Sequence, residues 1–131
     1  MKLQDQVCTI EQGKRLMELG VNAPSLFYYA GDSIRVSISE EFSGSAIVLN
    51  MDNPNSCHAY TVAELGAMLP ALVTSKRTVS TGEWYIFGSE NTGYVCDRFK
   101  TEAEAKASFL IHLLEQNLIT AEECNKRINN N

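Results

Sequence analysis

The chain holds 131 residues, 44% of them hydrophobic and 21% charged, the size and balance of one ordinary globular domain. At that length roughly two-thirds of the unfolded surface is buried on folding, enough for a core without disulfides or metal. A net charge of −5 argues against nucleic acid as the main ligand, since a phosphate backbone calls for a basic face.

The longest apolar runs, Phe109 to Ile111 and Leu113-Leu114, are broken by His112 and Glu115 well short of a membrane span. Met1 to Gln6 lack the apolar core of a signal peptide, so a cytoplasmic location is expected. Cys8, Cys57, Cys96 and Cys124 are spread along the chain with no CxxC pair. Reduced and mostly buried thiols follow from that spacing.

Helix starts are marked by local chemistry. Thr9 precedes Gln12 by three residues, Thr61 precedes Glu64, Thr101 precedes Glu104 and Thr120 precedes Glu123, each at the head of an apolar stretch. In this pattern the threonine oxygen takes a free amide of the first turn and the Glu or Gln reaches back to the threonine amide.

In chain order, the first helix is predicted from Ile10 to Leu19 with Gly20 as its stop. Its inward stripe is Ile10, Leu16, Met17 and Leu19. Gly13 weakens it by about 1 kcal/mol relative to Ala, and a residue that small lets another segment approach closely. Leu26 to Tyr29 reads as a strand, followed by a turn at Gly31 to Ser33. From Ile34 to Ser39 apolar and polar residues alternate, giving a strand with one wet face. Ala46 to Leu49 is apolar on both faces and reads as central. Three strands joined by short turns imply an antiparallel meander.

Asn50 to Ser56 reads as a loop. The second helix opens at Thr61, with Val62, Leu65, Met68, Leu69 and Leu72 at helical spacing, and Pro70 stops it after about two turns. Thr74 to Gly82 reads as a polar connection. Glu83 to Phe87 and Tyr94 to Phe99 then form a hairpin across Gly88 to Gly93. The longest helix runs from Glu102 to Asn117 on a stripe of Ala103, Ala107, Leu110, Ile111 and Leu114, widened by Phe109 and Leu113, and Asn117 caps it. Thr120 starts a short last helix ending near Ile128. The fold class is therefore α+β, a mainly antiparallel sheet of about five strands packed by three to four helices, on one face or on both.

Cys8 to Gly20 with Ser25 to Tyr29, Tyr60 to Pro70, and Thr101 to Lys106 with Phe109 to Glu115 and Leu118-Ile119 resemble a group of small uncharacterised proteins of bacterial prophages and other mobile elements. The likeness covers roughly half the chain and matches least between Glu83 and Phe99. It implies no activity and maps no catalytic motif. The strand-hairpin-helix ending is also similar in fold to phage sandwich domains, which licenses no function.

Few residues point to chemistry. Cys57 beside His58 offers a thiol and an imidazole, as nucleophile and base or as two metal ligands, but no second pair at ligand spacing follows. With Asp52 and Tyr60 they make the one stretch where a dispersed enzyme site would lie, in the loop leading to the second helix. Glu40-Glu41 and Glu122-Glu123 read as solvated surface, and no glycine pattern supports a phosphate loop. No cofactor or metal is expected.

The strand aromatics Tyr28, Tyr29, Trp84, Tyr85 and Tyr94 are core if helices cover both sheet faces. If not, a Trp84 and Tyr94 face suits a partner protein or a planar ligand. Lys76-Arg77 with Arg98 and Lys100 is the grouping a nucleic-acid contact would use. The expectation is a small accessory protein of a mobile element that binds another protein or itself. A nucleic-acid regulator comes second and an enzyme third.

Overall fold

The computed structural model of the chain describes residues 2–31, 33–36, 56–70, 73–87 and 97–129. A 3₁₀ turn, Leu3–Asp5, precedes α1 (Ile10–Glu18), β1 (Phe27–Ala30) and β2 (Ser33–Val36). Then come β3 (Ser56–His58), α2 (Val62–Met68), β4 (Thr74–Arg77), β5 (Trp84–Phe87), α3 (Glu102–Glu115) and α4 (Ala121–Asn129). The strand expected at Ala46 to Leu49, the second half of the Ile34 strand and Tyr94 to Cys96 lie outside the described residues.

Each marked threonine accepts a hydrogen bond from the amide three residues on, at 3.1–3.2 Å. In return the Thr9 amide donates to Gln12 Oε1 (3.0 Å) and the Thr61 amide to Glu64 Oε1 (2.8 Å). Two helices end as expected. Gly20 (φ 97°) and Asn117 (φ 58°) adopt the left-handed conformation. After each, the next amide bonds back to Leu16 or Leu113 at 2.9 Å, a Schellman closure. Helix α3 stops two residues short of Asn117, at Glu115.

The single five-stranded sheet is not formed. Among the described residues five strands divide into an antiparallel sheet of order β2-β1-β3 and a two-stranded ribbon, β4-β5. Two strands fall where the sequence shows none. Ser56–His58 closes the stretch read as loop, and Thr74–Arg77 lies within the polar connection. Neither carries an apolar alternation, and each is held by its partner: β3 by Tyr28 to Ala30, β4 by Trp84 to Phe87. The expected layering also changes. Helix α1 packs on β3 and on α3, while α3 packs on β4, β5, α1 and α2. Helices thus join the two sheets instead of covering the faces of one.

The first sheet turns Tyr29, Cys57 and Ile34 toward α1, where they meet Val7, Ile10 and Met17. Close approach is possible because Gly13 has no side chain: a Cβ there would lie 2.6 Å from the His58 carbonyl oxygen. The larger core surrounds α3, with Leu16, Tyr60, Leu65, Met68, Phe109 and Leu110 each at most 1% exposed. No helix of the described residues is long and apolar enough to cross a membrane.

Candidate functional site

Two regions carry the side chains singled out from the sequence. The first is β3 and the residues after it. Adjacent positions on a strand point to opposite faces, and Cys57 and His58 do so. The Cys57 thiol faces α1 and donates to the Ile10 carbonyl at 3.7 Å. His58 lies on the other face, its ring 5.2 Å from the Tyr60 ring. Thiol and imidazole therefore do not meet, and the nucleophile–base pairing is not made.

The electrostatics agree. Burial pushes the Cys57 thiol up to about 11 and the neighbouring Cys8 thiol up to about 12, which removes the thiolate that such chemistry needs. Burial also lowers the His58 pKa, opposed by the Glu64 carboxylate. The His58 Nδ1 is buried with no hydrogen-bond partner among the described residues.

Tyr60 is a core residue whose hydroxyl donates to the Ala23 carbonyl at 2.7 Å. Asp52 lies outside the described residues, as does Tyr94. Among the described residues no three metal-ligating side chains converge.

The polar focus of this region is Glu64. Beyond closing its capping box, its carboxylate accepts from Ser25 Oγ at 2.8 Å and from the Leu26 amide at 2.9 Å. It pins the entry to β1 against the start of α2.

The second region is the β4–β5 ribbon. Its turn is closed by Thr78 N–H to Glu83 O and Gly82 N–H to Thr78 O, both 2.7 Å. Gly82 takes the positive φ (75°) that the turn requires. Register pairs Arg77 with Trp84 and Lys76 with Tyr85.

One ribbon face looks onto α3. Ile86 is 2% exposed there, and the Ser75 hydroxyl donates to the Glu102 carboxylate. Trp84 sits on this face at the margin of the core, partly exposed. On the other face the Arg98 guanidinium lies 5.1 Å from the centre of the Tyr85 ring and donates to Thr78 Oγ1.

Phe99 extends the ribbon. It exchanges two backbone hydrogen bonds with Trp84, at 2.7 and 2.9 Å, which carries Lys100 and the N-cap Thr101 to the same end. An open cleft of about 280 Å³ results, lined by Asp5, Val62, Arg77, Trp84, Lys100 and Glu102. Glu102 is already engaged by Ser75 and by Lys106, 3.5 Å away. The side chains of Arg77 and Lys100 have no hydrogen-bond or ion-pair partner among the described residues.

Sequence reasoning grouped Arg77 with Lys100 and singled out Trp84 separately, but it had no signal that β4 exists. It also missed Asp5 and Val62, whose local patterns carry nothing unusual. No family model, curated protein or solved structure matches the chain.

Proposed function

We propose that the chain is a small accessory protein that acts by binding another protein, through the β4–β5 ribbon and the cleft beside it. One observation carries this reading. A tryptophan and an arginine-stacked tyrosine stand partly exposed on opposite faces of one short ribbon, with Arg77 and Lys100 at its end. Tryptophan, tyrosine and arginine are the residues on which interface energy concentrates. A cytoplasmic setting in a mobile element is the context that the sequence resemblance suggests, and a second copy of the chain is one possible partner.

The test is site-specific photocrosslinking in the native host. A photoreactive residue at Tyr85 should capture one discrete species, and the same residue at Glu122, on the exposed start of α4, should not. Equal capture at both positions, or none at Tyr85, refutes the ribbon as the contact surface. Light scattering on the purified chain separates self-association from a foreign partner.

A second reading has its own support. Lys76, Arg77, Arg98 and Lys100 gather on this ribbon beside two aromatic rings, the composition that holds single-stranded nucleic acid. Glu83 and Asp97 on the same ribbon and the net charge of −5 oppose it. Oligonucleotide binding that weakens steeply with salt would favour it, because counterion release sets that slope.

A further inference from the structure

The geometry points to a narrower partner class, resting on the protein-binding reading: we infer that the cleft beside Trp84 takes an acidic side chain flanked by an apolar one, presented by an extended segment of the partner protein. The argument begins with charge. Arg15 is held by Glu18 and Glu115, Lys126 by Glu122, and Arg127 by the Met68 carbonyl. Among the described residues Arg77 and Lys100 have no such partner, yet both line one cleft.

Of the two carboxylates there, Glu102 is offset by Lys106 and accepts from Ser75, which leaves Asp5 against two cations. The local excess is a single positive charge. That matches one carboxylate better than a phosphate dianion or a polyanionic strand, and Glu83 and Asp97 would repel the latter along the ribbon.

Shape gives the rest. A cleft of about 280 Å³ holds a side chain and its neighbour, not a folded surface. Its apolar walls are the Trp84 ring and Val62, so the carboxylate lies between Arg77 and Lys100 while an adjacent apolar side chain covers the indole. The guanidinium contributes a planar fork suited to a carboxylate, and the ammonium a point charge.

Trp84 is the chain's one tryptophan, so its emission reports occupancy directly. The intact chain is titrated with acetyl-Phe-Glu-Phe-amide, with acetyl-Phe-Gln-Phe-amide and with adenosine monophosphate. The acidic peptide should produce a saturable change. The Gln peptide should bind roughly tenfold more weakly, the loss expected for one charge-assisted contact.

Arg77→Gln and Lys100→Gln should each weaken the acidic peptide to a similar degree. Both residues are exposed, and circular dichroism verifies that the variants fold. Equal binding of the two peptides, no response to either substitution, or no saturation up to about 10 mM overturns the inference. Tighter binding of the nucleotide than of the acidic peptide overturns it in favour of a phosphate ligand. Capture at Tyr85 without acidic-peptide binding leaves the protein-binding reading standing and removes only this refinement.

Discussion

Replacing Gly13 by alanine tests the packing that joins the first sheet to the helices. The new Cβ would lie 2.6 Å from the His58 carbonyl oxygen and 2.8 Å from the Cys57 sulfur. One of these is backbone and cannot rotate away, so α1 must retreat from β3. Retreat loosens the cluster of Val7, Tyr29, Cys57 and Ala59 with Ile10 and Met17.

Overpacking of this kind costs about 3 kcal/mol, the upper end of the usual range. Alanine in mid-helix returns about 1 kcal/mol over glycine. The net loss is about 2 kcal/mol, read as a lower urea midpoint at unchanged slope, followed by Trp84 emission and circular dichroism. Gly66 in α2 is the control. Its Cβ would meet only the flexible end of Lys106, at 3.2 Å, so Gly66→Ala should stabilise by up to about 1 kcal/mol. A Gly13→Ala variant as stable as the parent would refute the close contact between α1 and β3.

Glu64→Ala should destabilise by about 2 kcal/mol in the same titration, because the Thr61 and Leu26 amides and the Ser25 hydroxyl lose their shared acceptor. Native alkylation resolved by mass spectrometry should leave Cys8, Cys57 and Cys124 unmodified while unfolded chain reacts at all three, since each is buried and its thiol is raised to about 11 or 12. Because burial lowers the His58 pKa from 6.5, the unfolded chain takes up a proton there that the folded chain refuses. Stability should therefore fall as pH drops from 6.5 toward the lowered folded value, and His58→Gln should flatten that part of the profile in urea titrations at stepped pH.

The helices were legible and two of the strands were not, for a physical reason. A capping threonine and its Glu or Gln act within four residues, so Thr9, Thr61, Thr101 and Thr120 announce helices whatever surrounds them. The left-handed closures at Gly20 and Asn117 are equally local. A strand of three or four residues is defined by its neighbour instead. Thr74–Arg77 contains no apolar residue, and Ser56–His58 is buried at every position, so neither shows the period-two pattern. Helix α3 was read with one stripe because that pattern assumes a single buried face. In the fold it meets α1, α2 and both ribbon strands, which buries Ala105 as well.

The same contrast separates the two candidate sites. Cys57 and His58 attract attention because they are adjacent, but on a strand adjacency sends side chains apart, and the first region resolves into packing around Gly13 and Tyr60. Arg77 and Lys100 are far apart in sequence and meet through backbone pairing. Arg77 lies opposite Trp84, and Phe99 bonds to Trp84 from its other side, so Lys100 emerges at the same end of the ribbon. Thr101 then turns the chain into α3, and the start of that helix closes the cleft. A surface built this way needs no motif, only a two-stranded ribbon whose first aromatic residue is paired on both edges. Its charge follows from the register of β4 against β5, which pairs Arg77 with Trp84, and a one-residue slip of β4 would put Arg77 on the face opposite Trp84.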